Sequence, residues 1–567
     1  MSELPPTCHA IQFTGADRMV HNAAKPLPEV GPYHVVIKID SCGICFSDTK
    51  LLHAFDKHPR KSQVTRVVLD PRHETFDPTW SQERLLAEIA AMPQYAPGEA
   101  PTVPGHEPTG HIVAVGSKVT RHRVGERVLV QTDYRHLPTQ ASNAAFGYNF
   151  EGALQEYVTV DERAVIEPHT GERFLIPVAE GPTCSAISLI EPWACVEAAY
   201  TWGERQRMAA GGRLLVVVAD GRRAQGLAGL VREAGPDVVV AVGELGDELD
   251  WFAGVSRVAS PDELTGEFDD IVYFGADAGV IEALAGRLAF GGVLDLVLGG
   301  ERIARPVSVD VGRVHYDLIR VIGTTGFSAA DTYARIPADS ELRPGDRMAI
   351  IGAAGPMGLM HTMRTAVSGI DGVSMDAVDV DDSRLAHLAA TVAPVAARHG
   401  VPASFRNSAT EPLEPGYTYL AVMVPSPALI AQAVGLAGDH AIVNAFAGFA
   451  IGTLAPLDLN AVAERGVYLV GTSGSRIQDM KAMLAKVESG VLDTNVSLDA
   501  VCGMAGVEAA IESVNNRTST GKIMVYPALA DLGLVRLVDL PAVLPDVAAA
   551  MDGPRWTKAA EDVLLAR

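Results

Sequence analysis

Cysteine is scarce in this chain: six residues in 567, at positions 8, 42, 45, 184, 195 and 502. Spacing so sparse and irregular excludes a disulfide framework. The first residues, MSELPPTCHAIQF, lack the basic start and apolar core of a signal peptide, so a reducing cytoplasm is the expected home. Basic side chains are also in deficit. Lys and Arg number 46 against 69 Asp and Glu, and the formal charge of −23 repels phosphate backbones and anionic lipid, which excludes nucleic acid and membrane surfaces as partners. Long apolar runs are missing too. Residues 418–438 go twenty-one positions without a charge, but Pro425 and Pro427 interrupt them and Asp439-His440 follows, so they read as buried strand, turn and helix. What is present, 48% hydrophobic and 20% charged residues with 54 glycines and 35 prolines spread throughout, describes a globular chain of at least three folding units.

The chain repeats itself at an offset of 148 residues. IGTTG (322–326) answers VGTSG (470–474), Asp331 answers Asp479, Leu288-Ala289 answers Leu436-Ala437, and Gly300 answers Gly448. Each copy opens with an apolar run, GGRLLVVVADGRRAQG from Gly211 and PGDRMAIIGAAGPMG from Pro344, and then alternates apolar runs with helical stretches, the βαβ pattern of a parallel sheet. The expected class is α/β: two tandem doubly wound sheets over about 205–340 and 341–490, behind a β-rich segment (1–204) marked by HVVIKI, HIVAVG and RVLVQT. Beyond 491, GKIMVYP predicts a last strand that returns to the first domain, and a tail runs to 567.

Only the second copy keeps dinucleotide chemistry. Such a turn needs glycines where strand meets helix, because the backbone must approach a pyrophosphate at the helix start. Gly352, Gly355, Pro356, Met357 and Gly358 of GAAGPMG follow RMAII directly, and Asp379 in AVDVDD, 27 residues beyond Gly352, suits the free ribose hydroxyls of NAD rather than NADP. The first copy has Val218 and Ala219 before a lone Gly221, and Gly243 in place of the acid.

A second constellation lies upstream. SCGICFSD places Cys42 and Cys45 three positions apart, a spacing open to a redox dithiol, half of a structural zinc site, or one chemically active sulfur. PGHEPTG adds His106 and Glu107, and SLIEPWACV adds Glu191. Cys, His and carboxylate are the ligands that zinc takes, and a catalytic zinc keeps three protein ligands and one open position.

In the order CGICFSD, PGHEPTG, GALQEY, IEPWACV, followed by a nucleotide domain, the chain resembles the zinc-dependent medium-chain alcohol and polyol dehydrogenases with a GroES-like catalytic domain. The CFS stretch with its nearby lysine, the long gap before GHE and GAAGPMG look closest to sugar-alcohol dehydrogenases of the L-sorbose 1-phosphate reductase type. The resemblance implies that Cys45 and not Cys42 ligates zinc, together with His106 and Glu191. It implies Glu107 as an exchanging ligand or a neighbour of the ligands, Asp48 orienting His106, and Ser47 as first proton acceptor. Lys50 stands where the family has its relay histidine, and Cys195, one helical turn past Glu191, is the alternative to it. The family's structural zinc lobe needs four cysteines, and residues 130–152 contain none, so one zinc is expected. Residues 54–103 form an insertion without a counterpart.

The implied activity is interconversion of a secondary alcohol of a sugar, polyol or cyclitol, free or phosphorylated, and its ketone, with hydride passing to or from NAD. The rivals are a zinc-free quinone-reductase-like enzyme and a non-catalytic NAD-binding sensor. Polar residues Asp133, Tyr134, Arg135, His136, Asn143, Tyr148 and Asn149 are candidates to meet a polyhydroxylated substrate, and Arg135 and Lys50 a phosphate. A homo-oligomer is compatible with the resemblance. Family subunits join by edge strands of their nucleotide domains, so the two copies are expected to pair within one chain through the strands ending at IGTTG and VGTSG.

Overall fold

A computed structural model describes residues 4–68, 70, 79–140, 142–259 and 263–567. The chain forms two compact units, 1–197 with 474–567, and 198–473. Among the described residues no helix is long and apolar enough to cross a membrane, and the uncharged run at 418–438 divides into strand Tyr417–Val422, helix Pro427–Leu436 and the start of strand Ala437–Asn444.

The discontinuous unit is built on a mixed sheet whose strands run, edge to edge, Val535–Arg536, Leu498–Cys502, Lys522–Val525, His34–Ile44, Glu107–Val115, Arg127–Val130 and Leu175–Pro177, with Tyr157–Asp161 also pairing His34–Ile44. HVVIKI, HIVAV, RVLV and KIMV fall in these strands. The C-terminal return places Lys522–Val525 antiparallel to His34–Ile44, with Ile523 opposite Ile44 and Met524 opposite Gly43. Within the insertion, buried Lys61 donates to the carbonyls of Ala96 and Ala100, and helix Gln82–Ala90 follows; residues 69 and 71–78 of it lie outside the described residues.

The continuous unit holds the two tandem doubly wound sheets expected from the repeat. The first runs Val255–Val258, Val238–Val242, Arg213–Val218, Phe268–Phe274, Leu288–Val297, Arg320–Thr324. The second runs Ala403–Asn407, Ser374–Asp379, Arg347–Ile351, Tyr417–Val422, Ala437–Asn444, Tyr468–Val470. Every neighbouring pair is parallel, and numbered along the chain both sheets read 3-2-1-4-5-6. Central strands such as RLLVV and MAII are apolar without alternation, as strands covered by helices on both faces must be. One apolar core extends from Leu215 of the first copy to Leu469 of the second.

The copies meet otherwise than expected. Strands Arg320–Thr324 and Tyr468–Val470 run beside each other, but the ladder that crosses between copies is a separate antiparallel ribbon, Val307–Asp310 with Leu454–Leu457. The edge strands are covered rather than paired. Helix Asn460–Arg465 lies on the first and helix Val311–Tyr316 on the second, which protects both edges from further strand addition.

Candidate active site

Strand His34–Ile44 carries Cys42 and Gly43 into the middle of the sheet, flanked by Glu107 on one side and Met524 on the other, both opposite Gly43. Cys45 follows the strand and caps helix Phe46–Ala54. Asp48, at the third position of that helix, is fully buried and accepts from the Cys45 N–H at 2.9 Å and the Gly105 N–H at 3.4 Å. Its other role is on His106, whose Nδ1 lies 3.2 Å from Asp48 Oδ1. The ring is thereby oriented with Nε2 directed to Ser47 Oγ, 3.0 Å away.

These local rules bring three ligand atoms together: Cys45 Sγ, a ring nitrogen of His106 and a carboxylate oxygen of Glu107 lie within 4.8 Å of one another. Glu191, in the first turn of helix Ile190–Thr201, is not among the three but stands within electrostatic reach. Burial pushes its carboxyl up to about 7, with His106 opposing and Glu107 adding to the shift. Cys195 donates to Glu191 Oε1 at 3.6 Å, and burial holds its thiol well above the ordinary range. Cys42 is fully buried, its thiol pushed far up by burial, with its sulfur packed 2.9 Å from where a Cβ on Gly105 would stand.

The central partner of Glu107 is Lys522, a residue the sequence reading passed over. Lys522 Nζ donates to Glu107 Oε1 at 2.5 Å, and both side chains are almost wholly buried. Burial opposes the charge of Lys522, but Glu107 and Cys45 outweigh it and keep the ammonium protonated. To reach Lys522 the Glu107 side chain crosses the backbone of Gly43, where a Cβ would stand 2.0 Å from Glu107 Oε2. The glycine of Cys-Gly-Ile-Cys leaves room for that crossing. Glu107 Oε2 itself is buried with no hydrogen-bond partner among the described residues. An orphaned anionic oxygen beside a cysteine and an oriented imidazole fits a divalent cation of the zinc type.

The ring of Tyr148 lies 5.4 Å from that of His106 and 5.1 Å from that of His58, and Arg60 stands over it at 5.7 Å. Burial lowers His58 to about 4, so it is neutral at physiological pH. Of the other polar candidates, Tyr134 is buried, Asn149 is spent on Ala145 N–H and the Ser62 carbonyl, and Asp133 pairs with Arg60, Arg135 and Asn143. Lys50 lies 5.5 Å over the Phe46 ring.

In the other unit, the second copy presents an open helix start. Gly352 has φ +85°, and at Gly358 a Cβ would stand 2.4 Å from the Gly352 carbonyl, so both glycines are dictated by the turn. Gly355 is the N-cap and Pro356 the first residue of helix Pro356–Ala366. Asp379, at the end of the next strand, accepts from the Ala354 and Val380 N–H groups at 3.0 and 2.8 Å. Among the described residues no side chain accepts from the N–H groups of Met357 or Gly358.

Comparison with known proteins agrees with this architecture. Residues 86–170 match the alcohol dehydrogenase GroES-like domain. The chain is 27% identical over 317 residues to the uncharacterized protein YggP of Escherichia coli K12, covering 48% of this chain and 71% of that protein. It is 28% identical over 122 residues to D-altritol 5-dehydrogenase of Agrobacterium fabrum, covering 22% of this chain and 24% of that enzyme. In fold it is similar to the crystal structure of 2R,3R-butanediol dehydrogenase of Bacillus subtilis, with TM-score 0.50 and 15% identity over 92% of this chain and 100% of the other. These likenesses support an oxidoreductase of the alcohol dehydrogenase type. Residues 86–170 thus correspond to an alcohol dehydrogenase GroES-like domain, and parts of the chain are similar to polyol and butanediol dehydrogenases.

Proposed function

We propose that the chain is a zinc-dependent, NAD-linked dehydrogenase that interconverts a secondary hydroxyl of a sugar, polyol or cyclitol and the corresponding ketone. The observation that carries this reading is the convergence of Cys45, His106 and Glu107 within 4.8 Å, with Glu191 beside them. The D-altritol dehydrogenase likeness supports a polyol as substrate class.

A zinc ion in this ligand set supplies Lewis acidity that brings the pKa of a bound hydroxyl toward neutrality. The protein does the rest. Asp48 holds His106 in place, its carboxylate 3.2 Å from Nδ1, with Nε2 facing Ser47. Ser47 Oγ, next to His106 Nε2, takes the substrate proton first, and Lys50 follows three residues on in the same helix. Lys522 offsets the charge of Glu107, so that thiolate and carboxylates are tolerated together in a buried site. Asp379 holds the ribose diol, and the free N–H groups at the start of helix Pro356–Ala366 meet the pyrophosphate.

Metal analysis combined with NADH formation on a panel of free and phosphorylated sugars and polyols tests this. One zinc per chain is expected. Cys45→Ala should lose metal and turnover, on the order of 10³-fold or more, because the metal provides most of the activation, while Cys42→Ala keeps its metal. Two tightly bound zincs per chain, or full metal content in Cys45→Ala, would refute the assignment.

A further inference from the structure

The two copies are related by a local twofold that the 148-residue offset makes visible. In the ribbon between them Ser308 pairs with Pro456, its own counterpart, so the axis passes through that pair. The neighbouring contacts are reciprocal. Gly323 packs on Ala463, where a Cβ would lie 3.5 Å away, and Gly471, the counterpart of Gly323, packs on His315, the counterpart of Ala463, at 2.9 Å. Ile303 exchanges hydrogen bonds with Asn460, while Gly312 packs on Ile451, and these four are again counterparts. Contacts in which residue i meets j and j meets i define an isologous interface, the kind that joins two identical subunits. Here it joins two halves of one chain. It is locked by a buried network in which Arg320 of the first copy pairs with Glu204 at 2.8 Å and donates to the Gly471 carbonyl of the second, while Tyr468 of the second donates to Glu204 at 2.7 Å.

Counterpart subunits can be compared at counterpart places. The helix after the first strand of the second copy offers free N–H groups at its start. The equivalent helix of the first copy, Leu227–Ala234, does not: one carboxylate, that of Glu248, accepts from Gly226, Leu227 and Ala228 N–H at 2.8, 3.0 and 2.9 Å. Both oxygens are used, on the three donors that a dinucleotide phosphate would otherwise take. The loop after IGTTG lies over the same spot, with Ser328 Oγ 2.2 Å from where a Cβ on Gly226 would be. The ribose end is closed as well. Gly243, at the counterpart of Asp379, has φ +85°, and a Cβ there would lie 2.2 Å from the Val218 carbonyl, so no acid fits.

We propose that the first copy is a resident pseudo-subunit whose anion site is permanently filled by its own Glu248, so that the chain takes one dinucleotide, through the second copy. The cofactor half of this statement rests on the function proposed above; the Glu248 half does not. Calorimetric titration of the whole protein separates them. Wild type should take one NAD per chain, and Asp379→Ala should leave no second, tighter site behind. Glu248→Ala, which bares three N–H groups, should bind one more inorganic pyrophosphate per chain than wild type while its NAD stoichiometry stays at one; Glu248→Gln, which keeps an acceptor in place, should not. Two NAD sites in wild type, or equal pyrophosphate binding by wild type and Glu248→Ala, would overturn the proposal. No NAD binding to wild type would remove the cofactor reading alone, and the pyrophosphate comparison would still decide the role of Glu248.

Discussion

The two copies of the doubly wound fold share strand order, core and interface, and differ at one end. In the second, Gly352 and Gly358 shape a turn whose helix start is open and whose next strand ends in Asp379. In the first, Glu248 and the loop at Ser328 cover that start and Gly243 leaves no room for an acid. The difference shows that the sheet and the site are separable. Folding requires the apolar strands, the covered edges and the glycines at the interface, all retained twice. Binding requires a handful of backbone donors and one acid, retained once.

The comparison is broken most severely at the third position of the two helices, which is glycine in both copies. At Gly358 a Cβ would lie 2.4 and 2.5 Å from the carbonyls of Gly352 and Ala353, whereas at Gly229 nothing lies within 4 Å. Gly358→Val should therefore displace the turn and weaken NAD binding by about 100-fold or more, a cost of roughly 3 kcal/mol. Titration of NAD into the variant checks this, with thermal unfolding to confirm that the rest of the chain stays folded. Unchanged affinity would mean that the glycine turn does not hold the cofactor.

Asp379→Ala should have the next largest effect. Losing hydrogen bonds from a carboxylate to the ribose diol costs about 1.5–3 kcal/mol, or roughly 10- to 100-fold in affinity. The same change removes the charge that repels a 2′-phosphate, so the preference for NAD over NADP should narrow. Comparable kcat/KM for both coenzymes in wild type would sink this role for Asp379.

Much of this was legible because it is local. The turn GAAGPMG after RMAII and the acid that ends the next strand are each found on the elements their pattern predicts, whereas the helix that starts at Cys45 was not expected behind HVVIKIDS. What escaped was long-range. Lys522 is 415 residues from Glu107, and only the antiparallel register of the returning strand places it opposite the ligands. Glu248 reads as one acid in an acidic stretch until the fold turns it back onto a helix start some twenty residues earlier. The ribbon Val307–Asp310 with Leu454–Leu457 is four residues on each side, too short to signal a pairing partner. Asn149 illustrates the opposite error: a polar side chain in a loop was available for substrate on paper, but the hairpin around it spends its amide on backbone groups.

The smallest expected effect is also the sharpest contrast. Gly229 lies within helix Leu227–Ala234, in the same place as Gly358 in its own helix, yet no atom approaches it and its φ is not in the left-handed region. Glycine in a helix costs about 0.5–1 kcal/mol relative to alanine, because it loses more backbone freedom on folding. If the first copy has no ligand to admit, nothing opposes that gain, and Gly229→Ala should raise the stability of the protein by that amount without altering NAD affinity or turnover. Thermal unfolding and a single NAD titration suffice to measure both. A loss of NAD affinity in this variant would show that the first copy takes part in binding, and would erase the distinction between the two halves.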